Sequence, residues 1–323
     1  MHIVIIGGSG FIGTALAKLL TDDGCIVTVL TRSRAVPPCH AGAVRYISWD
    51  GHNSAALTPI LEATDAVVNL AGENIAAQRW TPARLDEILF SRTRVGEAVR
   101  SACMTLHTGG RRKPYVLVQA SAIGFYGCWE DMEQAPSCDE RSASGSGELA
   151  AVARHWEECT AGMAVMGIRR CVMRFAPVLG RGGGMLARML PLFRLGLGGI
   201  PGSGRQPVSW VHIQDVTAAI RSVLWNNSCA GVYNVVSPET VSMQCFAAAL
   251  GKAVHRSVKF HIPALILRAA VGDMADELLL AGQVAVPRRL LHSGFQFAYP
   301  QLSAALAEVT GAAGKGADKG GNR

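Results

Sequence analysis

The N-terminal half of the chain alternates short apolar runs with longer segments whose apolar residues recur at helical spacing. The short runs lie at residues 2–6, 25–30, 65–70, 115–120 and 170–175, and helical spacing appears at residues 11–20, 84–102 and 148–166. Buried strands that alternate with helices are typical of βαβ units. The pattern therefore predicts an α/β fold with a doubly wound parallel sheet of the Rossmann type.

The pattern changes near residue 176. A glycine-rich apolar stretch is followed by a short strand and a helix that opens near Asp215, and residues 231–251 repeat that scheme. Residues 262–308 have the pattern of a compact helical piece. We therefore predict a Rossmann unit over residues 1–175, which also receives strands from 176–240. A smaller C-terminal α/β substrate region follows over residues 176–308, with a disordered tail over 309–323.

Composition and charge narrow the class of protein. Apolar residues make up 49% and charged residues 17%, which is typical of a globular protein with an ample core. No apolar run is long enough for a transmembrane helix, so we expect no membrane partner. The first residues lack the basic region and cleavage site of a signal peptide, so we expect a cytoplasmic protein. The net charge of +7 comes mostly from dispersed arginines, which favours anion sites for a phosphorylated ligand over nucleic-acid binding.

The cysteines do not indicate a metal centre. There are nine, none in a C-x-x-C pair, and no His/Cys cluster has zinc spacing. Cys25, Cys103 and Cys171 lie among apolar residues and are most simply core thiols. Cys128 and Cys138 could meet across a loop, but a cytosolic chain favours reduced thiols.

The sequence GGSGFIG follows the first predicted strand and opens the first predicted helix. In that context its three glycines indicate a dinucleotide site. Gly7 allows a tight turn, Gly10 lets the backbone approach a pyrophosphate, and Gly13 lets the helix pack closely, while the helix N-terminus offers free N–H groups to the phosphates. The predicted cofactor contacts in this turn are Gly7, Ser9, Gly10, Phe11, Ile12 and Gly13.

The end of the second predicted strand favours NADP(H) over NAD(H). An NAD site usually places an acid there to bind the ribose 2′-hydroxyl. Here the chain reads TRSR, so Thr31 and Arg32 stand at the position, with Ser33 and Arg34 next. Arginine binds a 2′-phosphate through a forked, charge-assisted contact. The alternative is that Arg32 is an ordinary surface residue.

Several motifs together resemble a known family. GGSGFIG, NLAGENI, SAIGFYG, RFAPVLGRGGG and SWVHIQD stand in the order expected of an extended short-chain dehydrogenase/reductase. More closely, the chain resembles the atypical branch called the epimerase family, whose members carry a small C-terminal domain of unknown function. PRRLLHSGFQFAYPQLSAAL is similar to the end of that domain. The resemblance covers nearly the whole chain, to about residue 308.

The resemblance implies roles for individual residues. Thr31 and Arg32 match the pair near the adenosine 2′-phosphate. Glu87 and Arg92 match a polar pair that reaches the nucleotide, although an ordinary solvated helix face would look the same. Further implied contacts are Leu70, Ala71 and Gly72 after the fourth strand and Val178 beside the nicotinamide end. Superfamily members often pair through the helices at 84–102 and 148–166, which implies a homodimer, but ordinary sheet packing fits the same pattern.

The expected catalytic pair is absent. In the wider superfamily a serine or threonine at a strand end works with Tyr-x-x-x-Lys on the next helix, where tyrosine moves a proton as hydride moves to or from the nicotinamide. The tyrosines here are at 46, 115, 126, 233 and 299, and none is followed four residues later by lysine. Ser121 stands where the serine belongs. Tyr126, whose phenol could lean into the cleft, is the predicted stand-in for the proton.

The C-terminal half supplies predicted substrate contacts. Arg205 is a candidate clamp for an anionic group, and Trp210 and His212 are candidate pocket residues. Two functions follow from these observations. The first is an NADP(H)-dependent oxidoreductase or epimerase acting on an unidentified small polar substrate in the cleft. The second is a non-catalytic module that senses NADP(H) or acts through a partner, which the missing pair favours.

Overall fold

The computed structural model of the protein describes residues 1–32 and 44–311. In chain order the strands are β1 (His2–Ile6), β2 (Ile26–Thr31), β3 (Val44–Ser48), β4 (Ala66–Asn69), β5 (Val116–Ala122), β6 (Ser137–Cys138), β7 (Arg169–Phe175), β8 (Val178–Gly180), β9 (Gly183–Gly184), β10 (Ile200–Pro201), β11 (Pro207–Val208), β12 (Val211–His212), β13 (Gly231–Val235), β14 (Val241–Ser242), β15 (His261–Ile262) and β16 (Val284–Ala285).

The helices, again in chain order, are α1 (Phe11–Asp22), α2 (Ser54–Glu62), α3 (Pro82–Thr108), α4 (Glu148–Glu158), α5 (Leu186–Arg194), α6 (Ile213–Trp225), α7 (Met243–Ala253), α8 (Ala264–Val271), α9 (Met274–Leu278), α10 (Arg288–His292) and α11 (Leu302–Thr310). Short 3-10 segments span Ile123–Tyr126 and Met163–Met166. In the described part of the chain, no helix combines the length and apolar character needed to cross a membrane.

The central sheet has seven strands in the order β13-β7-β5-β4-β1-β2-β3. Every neighbouring pair runs parallel. The order reverses beside β1, which lies between β4 and β2, and ligands of such sheets bind where the strand order reverses. This topology confirms the predicted doubly wound α/β fold.

Two apolar cores cover the faces of the sheet. Successive side chains of a strand point to opposite faces, so Ile3 and Ile5 join a core with helices α1 and α6. Val4 and Ile6 join a separate core beneath α2 and α3. The apolar runs predicted from the sequence are therefore strands buried on both sides, as parallel sheets require.

Two elements of this layer were not predicted. Strand β3 reads VRYIS, and its residues are half-buried or exposed at the edge of the sheet. Its apolar run is too short and too polar to stand out from a loop. Helix α2 follows it, with the Asn53 side chain accepting a hydrogen bond from the amide of Ala56 at its start.

The helix predicted over residues 148–166 is wrong in its second half. Helix α4 ends at Glu158, and Gly162 then takes a φ of 80°. A residue with a Cβ avoids this left-handed conformation, so the glycine marks a turn through which the predicted helix could not continue. The apolar residues beyond it, including Met163 and Met166, still reach the core from a 3-10 turn.

The start of α4 depends on a residue far away in the chain. Gly147 precedes the helix, and no side chain next to it caps the first turn. Glu277 on α9 does so instead: its Oε1 accepts from the amide of Glu148 at 2.8 Å and its Oε2 from that of Leu149 at 2.9 Å. The C-terminal region thus completes a helix of the Rossmann unit.

A third core lies within the C-terminal region. It includes Leu190, Trp210, Phe246 and Leu306. Helix α6 begins at Ile213, near Asp215 as predicted, and its cap is His212, whose Nδ1 accepts from the amide of Gln214. Asp215 instead accepts from the amides of residues 298 and 299.

The chain's last predicted segment lies mostly outside the described residues. Helix α11 runs to Thr310, two residues beyond the predicted boundary at 308, and Gly311 follows at a φ of 79°. The division of the chain at residue 175 stays a prediction. Strand β13, which lies beyond that boundary, completes the central sheet beside β7.

Candidate functional site

The glycine turn between β1 and α1 is built as the sequence predicted. Gly7 has a φ of 77°, and a Cβ there would lie 3.0 Å from the backbone of Leu70 and Ala71. At Gly13 a Cβ would lie 2.5 Å from Cα of Gly8. Only glycine lets the turn, the loop after β4 and the first turn of α1 approach so closely.

The first turn of α1 leaves amides available for an anion. Gly10 precedes the helix in an extended conformation, and no side chain caps it. The first backbone bond of the helix runs from the amide of Thr14 to the carbonyl of Gly10 at 2.9 Å. The amides of Phe11, Ile12 and Gly13 therefore have no partner within the helix. A pyrophosphate fits this cradle, because backbone N–H groups and the positive helix end both favour negative charge.

The ring of Phe11 explains the RGGG stretch, whose purpose the sequence alone did not reveal. A Cβ at Gly183 would lie 2.2 Å from that ring, and one at Gly180 would lie 2.7 Å from it. The glycines of β8 and β9 therefore accept the ring at the start of α1. Val178 begins β8 and is 8% exposed. Its predicted position beside the nicotinamide stays a prediction.

The end of β2 brings Thr31 and Arg32 beside the glycine turn. The hydroxyls of Ser9 and Thr31 lie 3.2 Å apart. The Arg32 side chain is 69% exposed, and its Nη2 lies 2.7 Å from Oε1 of Glu73. An exposed guanidinium at this edge is suited to a 2′-phosphate. Ser33 and Arg34 lie outside the described residues.

Arg92 lies beneath the loop after β4 and is buried there. Its guanidinium donates to the carbonyls of Ile88 at 2.8 Å and of Glu73 at 2.9 Å, and it lies 4.8 Å from the centre of the Trp156 ring. A Cβ at Gly72 would lie 3.0 Å from this guanidinium. Burial lowers the pKa of Arg92 to about 10. The side chain holds the loop in place, and a contact between Arg92 and the nucleotide stays a prediction.

Glu87, the other predicted partner on this helix, lies on its solvated side. Its carboxylate accepts from Nη1 of Arg84 at 2.8 Å, and its side chain is 63% exposed. An ion pair between residues three apart on a helix, here with the Arg84 side chain buried and that of Glu87 in solvent, fits the ordinary helix face that the sequence left open. A contact between Glu87 and a nucleotide stays a prediction.

Ser121 lies at the end of β5 in a buried polar network. Its Oγ donates to Oε1 of Glu157 at 2.7 Å. Arg174 donates to the same carboxylate from Nε at 2.7 Å and from Nη2 at 2.9 Å. Ser121 and Arg174 are direct neighbours across β5 and β7, and Asn234 continues the row on β13. The sequence carried a signal for this row, because β5, β7 and β13 each have a polar residue in the last position but one.

Tyr126 is the clearest correction to the predicted site. Its side chain is 1% exposed and does not lean into a cleft. The hydroxyl lies 2.8 Å from the carbonyl of Asp139 and 2.7 Å from Oδ1 of Asn234, and it accepts from Nη1 of Arg174 at 3.0 Å. Burial raises its pKa to about 12. A phenol held in this way is a structural group and a poor proton donor.

Tyr126→Phe is therefore expected to act on stability and not on cofactor binding. Loss of the hydroxyl leaves the buried Asn234 and Arg174 groups short of a partner, which lowers the free energy of unfolding by about 1–3 kcal/mol. Urea unfolding measures this change. Tyr115→Phe, at a ring that is 42% exposed, is the matched control and should change stability by less than about 0.5 kcal/mol. Normal stability with loss of turnover would instead make Tyr126 the proton donor.

Helix α4 carries neither a tyrosine nor a lysine at the positions expected for the superfamily pair, near residues 149–150 and 153–154. Leu149 packs against Gly124, whose Cβ would lie 3.2 Å from that of Leu149. Ala150 and Ala153 are buried. Arg154 turns back to the preceding loop, where Nη1 donates to the carbonyl of Gly145 at 3.0 Å.

The predicted substrate residues separate in the structure. Arg205 is available, with a side chain that is 70% exposed and an Nε that lies 3.3 Å from Asp131. Trp210 and His212 are fully buried, which corrects the prediction that they line a pocket. His212 stacks on Tyr299 at 3.9 Å between ring centres and lies 3.2 Å from Glu308. It ties α11 to the start of α6.

The described ranges hold no group of three or more His, Cys, Asp or Glu side chains placed to bind a metal ion. Their eight cysteines are all free thiols, and Cys25, Cys103 and Cys171 are buried as predicted. Cys128 and Cys138 form no disulfide.

Comparison with family models divides the chain in two. Residues 3–235 match the NAD dependent epimerase/dehydratase family, and residues 262–309 match a domain of unknown function, DUF1731. Both matches agree with the resemblance drawn from the motifs.

Named relatives match over almost the full length. The epimerase family protein SDR39U1 of Homo sapiens is 34% identical over 312 residues, which cover 96% of this chain and 99% of the relative. The epimerase family protein MT2273 of Mycobacterium tuberculosis is 35% identical over 310 residues, which cover 95% and 97%.

Solved structures agree in fold. The crystal structure of human SDR39U1 (isoform 2) with NADPH has a TM-score of 0.83 and 33% identity, and the match covers 96% of this chain and 99% of that one. The nucleoside-diphosphate sugar epimerase of Corynebacterium glutamicum has a TM-score of 0.75 and 28% identity, covering 97% of this chain and 58% of that one.

Proposed function

Because the chain belongs to the NAD dependent epimerase/dehydratase family, we propose that it binds NADP(H) and acts as an oxidoreductase or an epimerase-like enzyme on a small polar substrate. The observation that carries the proposal is the glycine turn joined to an exposed arginine. The turn offers free amides at the start of α1, and Arg32 stands beside it at the end of β2. The crystal structure of the human relative with NADPH supports the choice of cofactor.

Each part of the cofactor has residues that fit it. The amides of residues 11–13 would hold the pyrophosphate. Thr31 and Arg32 would hold the adenosine 2′-phosphate, and the loop at residues 70–72 would pack beside the adenosine. Val178 and Ser121 would lie toward the nicotinamide. NADP(H), when bound, supplies or accepts the hydride. The protein's own residues must orient the substrate and handle its proton.

Ser121 is the candidate for proton handling, and although it is as buried as Tyr126 in the cofactor-free protein, it stands at the end of β5, where ligands of such sheets bind. Its hydroxyl already donates to Glu157 at 2.7 Å, so it can take a proton from a substrate hydroxyl as its own proton passes to that carboxylate. Arg205 is the candidate anchor for an anionic substrate group, because its guanidinium is exposed.

One observation favours a second function, that of a non-catalytic NADP(H)-binding module. The Glu157 carboxylate already accepts from Ser121 and twice from Arg174, and α4 carries no tyrosine or lysine. Such a site can bind a dinucleotide but offers no evident side chain that would donate a proton to a substrate. Turnover separates the two functions. Oxidation of NADPH with a carbonyl or sugar-nucleotide substrate supports the enzyme, and tight binding without turnover supports the module.

The first test is a thermal shift of the purified protein with NADPH, NADH, NADP⁺ and NAD⁺. A ligand that binds only the folded state raises the melting temperature. At a hundredfold excess over Kd, it adds about 2.7 kcal/mol to the free energy of unfolding. We expect NADPH to stabilise far more than NADH. Arg32→Ala should remove most of that difference, because a lost charge-assisted contact lowers affinity by about tenfold or more.

Arg111→Ala is the matched control for this test. Arg111 is also an exposed arginine paired with a glutamate, with 3.1 Å between Nη1 and Glu62 Oε2. It follows α3, away from the glycine turn, and its loss should leave the NADPH shift unchanged. If no dinucleotide shifts the transition of the wild-type protein, both proposed functions are wrong.

A further inference from the structure

The ion pair between Arg32 and Glu73 crosses the mouth of the cofactor cradle. Arg32 directly follows β2, and Glu73 lies in the loop after β4. Strand β1 runs between these two strands. The glycine turn begins where β1 ends. A side chain that follows β2 and one that follows β4 can therefore meet only above that turn. They do so with 2.7 Å between Nη2 of Arg32 and Oε1 of Glu73.

The backbone of Glu73 is fixed on the protein side. Its amide donates to Oγ of Ser91 at 3.0 Å, and its carbonyl accepts from Nη2 of Arg92 at 2.9 Å. The carboxylate is the part that extends to Arg32, and its other oxygen lies 3.6 Å from the guanidinium of Arg84. These two arginines, Arg32 first, hold the pKa of Glu73 below its usual value. The carboxylate is therefore charged at neutral pH.

Arg32 is the side chain that sequence and position assign to the 2′-phosphate, and the carboxylate of Glu73 is the anion that it now holds. A phosphate and a carboxylate cannot both lie against one guanidinium edge without repelling each other. NADP(H) brings a phosphate that replaces the carboxylate as a partner of Arg32. NAD(H) brings only a hydroxyl to this position. When NAD(H) opens the Arg32–Glu73 ion pair, Arg32 therefore gains no new anionic partner that would offset the cost.

We propose that Glu73 is a specificity-determining residue that holds Arg32 in the cofactor-free protein and gives way to the 2′-phosphate of NADP(H). The inference rests on the proposed function. In this role Glu73 lowers the affinity for every dinucleotide that must open the pair, and it opposes the 2′-phosphate in addition. Discrimination between the two cofactors is therefore a balance between Arg32 and Glu73.

The test is titration calorimetry of the Glu73→Gln variant with NADPH and NADH at low salt. Glutamine keeps the size of the side chain and removes its charge. We expect NADPH to bind up to about fivefold more tightly than to the wild type, since exposed ion pairs contribute at most about 1 kcal/mol. NADH should gain less, so the ratio of the two affinities should rise. The gain should shrink as salt is added, because salt screens the interaction.

Asp22→Asn is the control for net charge. Asp22 is exposed and pairs with Lys18 at the far end of α1, so its loss should leave both affinities unchanged. Unchanged or weaker NADPH binding by Glu73→Gln would overturn the inference and make Glu73 a residue that positions Arg32. A wild-type protein that binds no dinucleotide would remove the proposed function as well, which distinguishes the two failures.

Discussion

Glu157→Gln is expected to lower the free energy of unfolding by about 3–5 kcal/mol, the typical cost of removing one partner of a buried ion pair. The side chains of Arg174 and Glu157 are 5% and 13% exposed. Without the carboxylate, the Arg174 guanidinium stays buried among Phe125, Tyr126 and a neutral amide. The uncompensated charge, and not the lost contact alone, causes the destabilisation.

Urea unfolding measures the effect, with Glu158→Gln as the control because the next residue on α4 is exposed. Removing both charges with Arg174→Met and Glu157→Leu together should cost less than the single change, since no charge then remains buried. A loss below about 1 kcal/mol for Glu157→Gln would mean that the pair behaves like an exposed one.

Gly13→Ala is expected to weaken both the fold and the binding of NADPH. Its Cβ would lie 2.5 Å from Cα of Gly8 and 2.6 Å from the carbonyl oxygen of Gly7, and backbone cannot move aside as a flexible side chain can. Overpacking of this kind lowers the free energy of unfolding by about 1–3 kcal/mol. Helix α1 must also shift away from the turn, so NADPH affinity should fall by about tenfold or more, which is a loss of about 1.4 kcal/mol.

Gly10→Ala separates these two effects. A Cβ at Gly10 would come no closer than 3.3 Å to the carbonyl oxygen of Gly7, and the φ of Gly10 is −79°. The unliganded variant should keep its stability within about 0.5 kcal/mol, while NADPH binding weakens because the methyl group stands where the pyrophosphate approaches. Denaturation and calorimetry of both variants measure the two effects. If Gly10→Ala and Gly13→Ala lowered the free energy of unfolding equally, the close packing at Gly13 would not be what stabilises the start of α1.

The parts that the sequence predicted well are those set by local pattern. The buried strands are apolar on both faces, and the glycine turn follows from backbone conformation at Gly7 and close packing at Gly13. These depend on residues near each other in the chain.

The parts that failed depend on contacts between distant residues. Tyr126 looked available because it follows Ser121 closely, but Asn234, 108 positions away, accepts its hydrogen bond. Glu73 lies 41 positions from Arg32 and meets it only because β1 runs between their strands. Helix periodicity could not reveal the end of α4, since apolar residues continue past Gly162. Strand order and side-chain partners were needed for each.

The long-range cap on α4 has a consequence for how the chain is made. Glu277 follows Glu148 by 129 positions, and its carboxylate is what covers the first amides of that helix. Synthesis proceeds from the N-terminus at about 5–20 residues per second. The strands up to β7 therefore leave the ribosome seconds before Glu277 does, and during that interval the start of α4 has only water for its amides. The start of α4 therefore gains its hydrogen-bond acceptors late, when α9 has left the ribosome and packed against it.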